Sequence, residues 1–164
     1  MLISKELAKA INEQIGHEFG ASMQYLSIAA HFDRQKLKLL AKLFFEQAEE
    51  EKEHAMKFVH YILDTQGELR IPAIPEPKPS FASAEEAVQA ALNWEQKVTA
   101  QINQLMALAA SQNDYLAQNF LQWFIDEQLE EVTKMDGLLS VVRRAGEQRL
   151  LMVEAYLVHL RGKD

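Results

Sequence analysis

The chain has 164 residues, 48% of them hydrophobic and 25% charged, a length and composition that suit one globular domain with a full core. Its formal net charge of −7 argues against nucleic acid or an anionic membrane as the main partner and leaves room for a cation. Cysteine is absent from the sequence, which excludes disulfides, thiolate zinc sites, cysteine-bound iron–sulfur clusters and cysteine nucleophiles. Any metal must therefore be held by oxygen and imidazole ligands.

Two further features of the composition concern the fold class and the location. Glutamate accounts for 18 of the 24 acidic residues, and glutamate favours helix more than aspartate does. The first residues lack the basic region and the apolar run of a secretory signal, and no run of about 18 apolar residues occurs. We therefore expect a helical protein of the cytoplasm with no membrane partner.

The first half of the chain has the pattern of a helical hairpin. Apolar residues recur at steps of three and four from Leu7 to Ile62, which is typical of amphipathic helices. The pattern lapses near Asp33. We therefore predict helices over about 4–33 and 36–66 with a turn between them.

An extended linker follows this hairpin and leads to a second one. All four prolines lie in the segment 67–83, which opens with a glycine suited to end a helix and closes with a capping box at Ser83–Glu86. The apolar pattern then resumes and predicts helices over about 83–111 and 114–145, with a shorter fifth helix over about 148–161. No run alternates with the period of a strand, so we expect no sheet.

These elements predict an all-α protein with a single domain over residues 1–164. Its fold would be a four-helix bundle with a long crossover between the second and third helices and a short fifth C-terminal helix. A helix of about 28 residues is about 42 Å long, whereas about 17 extended residues can span roughly 55 Å. The linker can thus cross the full length of the bundle, which would make the second and third helices parallel.

Polar residues interrupt each of the four apolar stripes near its middle. They are Glu18 on the first helix, Glu51 and His54 on the second, Glu95 on the third, and Gln128 and Glu131 on the fourth. Glu18 and Glu51 are 33 residues apart, and in the second hairpin Glu95 and Gln128 are also 33 residues apart. The midpoints, near positions 34 and 111, coincide with the predicted turns. Since residues equally far from a hairpin turn are level, all four helices should carry a polar group at one height in the core.

Several ionised carboxylates facing one another in a low-dielectric interior cost on the order of several kcal/mol each unless something compensates. Protonation through raised pKa values is one form of compensation, and a bound divalent cation is another. Glutamates with one imidazole suit iron or manganese and leave room for two metals bridged by a carboxylate. Each helix would supply a glutamate, although only the second supplies a Glu-x-x-His.

Residues next to this layer are candidates for further roles. Glu50, Glu127 and Glu130 adjoin the proposed ligands and could form a flanking cation site. Tyr25 lies two turns beyond Glu18 and could reach the metal, although Tyr25 and Trp123 also suit simple core positions. The remaining members of the acidic run and the other histidines are expected to be solvated or structural: Glu46, Glu49, Glu53, His17, His31, His60 and His159.

The sequence resembles the bacterial non-haem ferritins over nearly its whole length. The matching blocks are NEQIGHE at 12–18, EEKEHAM at 50–56, and NFLQWF at 119–124 leading into EQLEE at 127–131, the most specific of the three. The resemblance implies a ferroxidase centre with two irons and a nearby tyrosine, and bacterial members often add a third iron site. One iron of the centre would be held by Glu18, Glu51 and His54, and the other by Glu51, Glu95 and Glu131 with Gln128 close by. The third iron site would consist of Glu50, Glu127 and Glu130. The tyrosine would be Tyr25.

The same resemblance implies an activity and an assembly. Fe(II) would be oxidised to Fe(III) by oxygen or hydrogen peroxide and stored as mineral inside a hollow shell of twenty-four subunits. No haem is expected, because bacterioferritins carry a second Glu-x-x-His and a methionine after the bridging glutamate, where this chain has Gln128 to Glu131 and Lys52. Rubrerythrins are excluded, because they need a cysteine-bound iron and this chain has no cysteine. Mini-ferritins fit poorly, because they place their metal between subunits and usually lack the fifth helix.

Two alternatives stay open at this point. The polar layer could fix the register of the helices without metal in a structural or interaction protein, which predicts a small oligomer with no specific iron stoichiometry. A third reading is another di-metal carboxylate enzyme that acts on an organic substrate.

Overall fold

Four long helices and a short one make up residues 2–161, the part of the chain that the computed structural model describes. They are α1 (Lys5–Arg34), α2 (Lys38–Asp64), α3 (Ala84–Ser111), α4 (Tyr115–Ala145) and α5 (Leu150–Arg161), with a 3-10 turn at Glu147–Arg149. The described residues contain no strand, so the predicted all-α class is confirmed. Over the same range, none of the helices is long and apolar enough to cross a lipid bilayer.

Both ends of the linker between α2 and α3 differ in detail from the sequence prediction. At its start the left-handed backbone conformation falls on Gln66, with φ of 58°, rather than on the glycine at position 67. At its end Ser83 Oγ accepts a hydrogen bond from the N–H of Glu86 at 3.0 Å, as a capping box requires. The carboxylate of Glu86, however, accepts from the N–H of Ala82, one residue before the predicted donor.

The linker follows α1 along its length, and this path sets the direction of α3. Near the start of α1, Asn12 donates to the carbonyl of Glu68 and accepts from the N–H of Arg70, both at 2.8 Å. Near the end of α1, Gln24 donates to the carbonyl of Lys78 at 3.1 Å. Because α2 ends beside the start of α1, a linker that runs up α1 returns the chain to the level where α2 begins. The second and third helices are therefore parallel.

Two apolar clusters fill the interior, one at each end of the bundle. One cluster joins the second half of α1 and the first half of α2 to the start of α3, the end of α4 and α5. The other joins the opposite ends of the four long helices. The pairs α1–α2 and α3–α4 pack as hairpins, α1 joins the hairpins through α3, and α5 contacts α2 and α4. Between the two clusters lies a layer of polar side chains.

Candidate metal centre

Each of the four long helices contributes at least one side chain to this polar layer, and all six predicted members are buried. The exposed fractions are 0% for Glu18 and Glu51, 4% for His54, 1% for Glu95, 2% for Gln128 and 3% for Glu131. Charged and amide side chains are rarely buried to this extent without a partner. The layer therefore has to be explained by what its members contact.

Five of the six side chains form two triads that share Glu51. In each triad, one potential ligand atom of every residue lies within 4.8 Å of the other two. The first triad is Glu18, Glu51 and His54, and the second is Glu51, Glu95 and Glu131. A carboxylate that belongs to two triads can bridge two divalent cations, as in di-metal carboxylate bundles.

The first triad has two carboxylate oxygens without a hydrogen-bond partner. They are Oε2 of Glu18 and Oε2 of Glu51. A buried polar atom with no partner costs free energy that a bound cation would recover. Nδ1 of His54 lies 3.3 Å from the same oxygen of Glu51. Oxygen and imidazole ligands thus converge at one point, and this donor set fits iron, manganese or zinc.

Burial raises the pKa of every glutamate in the layer for which a shift is resolved. The pKa of Glu18 lies well above its ordinary value, first because of burial and then because of the charge of Glu51. Burial and the charge of Glu51 also raise the pKa of Glu95 to about 8. Burial raises the pKa of Glu131 to about 7, although the positive charge of Lys134 opposes this shift. Without a cation the layer therefore holds protons, which a metal must displace on binding.

His54 lies between two carboxylates. Burial alone lowers its pKa, but the close approach of the Glu51 carboxylate and the negative charge of Glu127 outweigh burial, so the pKa of His54 rises above its ordinary value. While Nδ1 faces Glu51, Nε2 lies 3.9 Å from Oε1 of Glu127. The ring is thus oriented with Nδ1 toward the first triad, where a neutral imidazole can act as a ligand.

Two glutamines outside the sequence prediction orient the carboxylates of α1 and α2. Nε2 of Gln14 donates to Oε1 of Glu18 at 2.7 Å. Nε2 of Gln47 donates to Oε1 of Glu51 at 3.3 Å and also to Oε2 of Glu131. Each glutamine precedes its glutamate by four residues, and the two glutamines are 33 residues apart, as the glutamates are. This repeated Gln-x-x-x-Glu pattern is a signal by which the sequence could have identified both.

Tyr25 and Gln128 hold Glu95 from two sides. The hydroxyl of Tyr25, which is fully buried, donates to Oε1 of Glu95. Nε2 of Gln128 donates to Oε2 of Glu95 at 3.1 Å and to the backbone carbonyl of the same residue at 3.2 Å. Gln128 therefore contacts a ligand of the second triad through its nitrogen, and only its Oε1 remains as an atom that could bind a cation.

The three acids predicted as a flanking cation site are not brought together. The side chain of Glu50 is 44% exposed, and its Oε2 lies 3.7 Å from Nζ of Lys134. Glu127 faces His54, and Glu130 is exposed. Within residues 2–161, the groups of three acidic or histidine side chains at ligand distance include none of these acids. The carboxylate of Glu50 is directed instead toward the ammonium group of Lys134 on α4.

The ring of Trp123 lies at the rim of the centre rather than in the apolar core. It is 40% exposed and packs edge-on against the ring of His54, with 5.3 Å between the centroids. Nζ of Lys57 lies 4.3 Å from the centroid of the same indole. The core position that the sequence favours for Trp123 is taken by its neighbour Phe124, which is 1% exposed. The indole thus covers one side of His54 and separates it from solvent.

An all-helical bundle with a crossover, whose core holds two triads of carboxylate and imidazole side chains joined by one glutamate, is the architecture of the ferritin-like carboxylate proteins. A family model described as Ferritin-like domain matches residues 8–145. The match covers most of the chain. The chain therefore belongs to the ferritin family, the iron-storage four-helix bundles, as its sequence motifs predict.

Individual relatives agree with this assignment. The chain is 44% identical over 136 residues to Ferritin BfrB of Mycolicibacterium smegmatis, a match that covers 83% of this chain and 75% of the relative. It is 34% identical over 146 residues to a bacterial non-heme ferritin of Staphylococcus aureus, covering 89% and 88% of the two chains. Among solved structures, an open pore ferritin of the archaeon Archaeoglobus fulgidus superposes with a TM-score of 0.91 at 32% identity, covering 95% of this chain and 96% of the other.

Proposed function

We propose that this protein stores and detoxifies iron by oxidising Fe(II) to Fe(III) at the buried centre and depositing the product as mineral. The observation that carries the proposal is the pair of triads that share Glu51. Glu51 would contribute to holding an iron ion in each triad, so that two ions could give up electrons to the same oxidant. The membership of the chain in the ferritin family supports iron as the metal.

The chemistry follows from the ligands. Two Fe(II) ions enter as substrate and each loses one electron, and the two electrons reduce one oxygen molecule with two protons to hydrogen peroxide, or one peroxide with two protons to water. Anionic carboxylates stabilise Fe(III) more than Fe(II), which favours oxidation. Protons held by Glu95 and Glu131, whose pKa values are raised by burial to about 8 and about 7, are released when iron binds.

The two triads are not equivalent. The first triad has an imidazole from His54 and two unpartnered carboxylate oxygens. The second has carboxylates alone, with Gln128 occupied by hydrogen bonds to Glu95. We propose that the second triad binds iron more weakly and is the position from which ferric product leaves.

The proposal extends to the assembly and the location. Subunits would form a hollow shell of twenty-four in the cytoplasm, with the mineral inside and no haem bound. The family assignment and the close superposition on solved ferritin chains support a cage. The net charge of −7 per chain would attract Fe(II) to such a shell.

The test is the size and iron content of the protein purified from iron-fed cells. We expect size-exclusion chromatography to show a very large particle that carries many more irons per chain than the triads can ligate. A small oligomer without a specific iron stoichiometry would instead indicate that the polar layer only fixes helix register. A small oligomer with two tightly bound metals per chain would favour a di-metal enzyme for an organic substrate.

A further inference from the structure

Lys134 contacts the metal centre from the turn of α4 that follows Glu131. Its Nζ donates to Oε1 of Gln47 at 2.6 Å and lies 3.7 Å from Oε2 of Glu50. Gln47 in turn donates to the bridging carboxylate of Glu51. The ammonium group is thus one amide away from the residue that the two triads share.

This contact determines which way the amide of Gln47 faces. An ammonium group can only donate hydrogen bonds, so the oxygen of the Gln47 amide must face Lys134 and the nitrogen must face the carboxylates. The side chain of Gln47 is fully buried, so its amide is held by these protein partners. Lys134 is therefore a positioning residue for the centre.

The same ammonium group lies where a flanking metal ion would need ligands. Glu50 directly precedes the bridging Glu51. Its carboxylate faces Lys134 rather than the other two acids of the predicted flanking site, Glu127 and Glu130. A divalent cation bound by Glu50 on this side would lie close to a fixed positive charge, and the two would repel each other. The residues present do not fit a third metal ion while Lys134 is in place.

We propose that the ammonium group of Lys134 takes the position of a third metal ion beside the centre, so that each subunit binds metal tightly at the two triads and not at the flanking acids. The inference rests on the proposed function of the triads. In this chain the lysine side chain, rather than a bound metal ion, neutralises the charge of Glu50 and orients the amide of Gln47.

The experiment compares the metal stoichiometry of the wild-type protein with that of Lys134→Met and Lys134→Arg. Methionine keeps the apolar stem without the charge, and arginine keeps the charge. Apo-protein is titrated calorimetrically with Zn²⁺, which is redox-inert, and Zn²⁺ is located by anomalous diffraction in soaked crystals. We expect about two tightly bound ions per chain for the wild type and Lys134→Arg, and about three for Lys134→Met, with the added ion at Glu50. The double variant Lys134→Met/Glu50→Gln should return to about two.

The possible results separate the inference from the proposal beneath it. Two ions in both the wild type and Lys134→Met would overturn the role of Lys134 alone, as would a third ion at Glu50 in the wild type. A wild type with no tight binding at the triads would overturn the proposed function itself. The side chain of Lys134 is 41% exposed, so its replacement should leave the fold and the assembly intact, which elution volume and circular dichroism check.

Discussion

Oε2 of Glu51 lies 3.3 Å from Nδ1 of His54, one turn further along α2. Glu51 is the residue that both triads share, whereas His54 belongs only to the first. Residues three apart on a helix lie on the same face, so this Glu-x-x-His directs both side chains toward one point in the core. Replacing either residue should therefore impair the centre, but to different extents.

We predict that Glu51→Ala abolishes tight metal binding at both triads and that His54→Ala weakens only the first. Aerobic oxidation of Fe(II) should fall in both variants by more than the factor of about 10 to 100 that is typical when an outer-shell partner of a metal is removed. Stopped-flow absorbance measures the oxidation rate, and anaerobic titration measures the number of ions bound. We expect a loss of about two ions per chain for Glu51→Ala and about one for His54→Ala.

The matched control for both variants is Glu53→Ala, because Glu53 lies between these residues on α2 but is exposed. It should oxidise Fe(II) at the wild-type rate. Undiminished oxidation in both Glu51→Ala and His54→Ala would contradict the assignment of the centre.

The stability of the apo-protein should fall as the pH rises from about 5 to 8. The pKa of Glu95 is raised from 4.5 to about 8 by burial and by the charge of Glu51, so between these values the folded state holds a proton that the unfolded state has lost. Stability falls with pH wherever the folded state binds more protons. The pKa of Glu131, raised to about 7 by burial, acts in the same direction. The change in unfolding free energy should be on the order of a few kcal/mol, measured by thermal or urea unfolding of metal-free protein.

Two variants and one addition make this pH profile specific to the buried acids. Glu95→Gln removes one titrating group and should flatten the profile, whereas Glu53→Gln, at an exposed position, should leave it unchanged. Saturating Zn²⁺ should reverse the trend, because metal displaces the protons and binds better at higher pH. Equal stability of the apo wild type at pH 5 and pH 8 would refute the prediction.

Sequence patterns were sufficient for the helices and for the level of the polar layer. The periodicity of apolar residues indicates which side chains share a helix face. Equal distance from a hairpin turn indicates which residues lie at the same height in the bundle. Glu18 and Glu51 are identified by these two rules alone, without reference to any other part of the chain. The glutamine that precedes each of them by one turn obeys the same rules and could have been found the same way.

The contacts that cross between helices could not be predicted from the sequence. Gln47 bonds to Glu131, 84 residues away, and Lys134 bonds back to Gln47 across 87 residues. Such pairs depend on how each helix is rotated about its own axis within the bundle, which local spacing does not determine. The same rotation places Glu50 beside Lys134 and turns Trp123 to the rim of the centre.

Tyr25 should influence metal binding through Glu95 rather than as a ligand. Burial raises the pKa of Tyr25 well above its ordinary value, so its hydroxyl stays protonated. This hydroxyl donates a hydrogen bond to Glu95, and the hydrogen bond opposes the rise in the pKa of Glu95. Tyr25→Phe removes this donor and should raise that pKa further. Metal binding at the second triad should weaken by roughly tenfold at neutral pH and recover as the pH rises.

Calorimetric titration with Zn²⁺ at several pH values between about 6.5 and 8.5 measures this effect. Tyr115→Phe is the control, because Tyr115 is 75% exposed at the start of α4, and it should bind metal as the wild type does. A deficit in Tyr25→Phe that stays the same at every pH would mean that the tyrosine acts by some other route.

The contact between α1 and the linker allows a prediction about stability that does not involve the metal. A Cβ atom added at Gly16 would lie 2.4 Å from Cγ of Pro72, and the proline ring cannot rotate away. Alanine favours helix over glycine by up to about 1 kcal/mol, but displacing the linker should cost more. Gly16→Ala should therefore be destabilised by a net of about 1–2 kcal/mol.

At Gly137 in α4, an added Cβ would have no atom of the described chain within 4 Å, and Gly137→Ala should be stabilised by about 0.5–1 kcal/mol. Calorimetric melting of both metal-free variants at one pH should therefore move Tm in opposite directions, and a rise in Tm for Gly16→Ala would show that the linker is not held against α1.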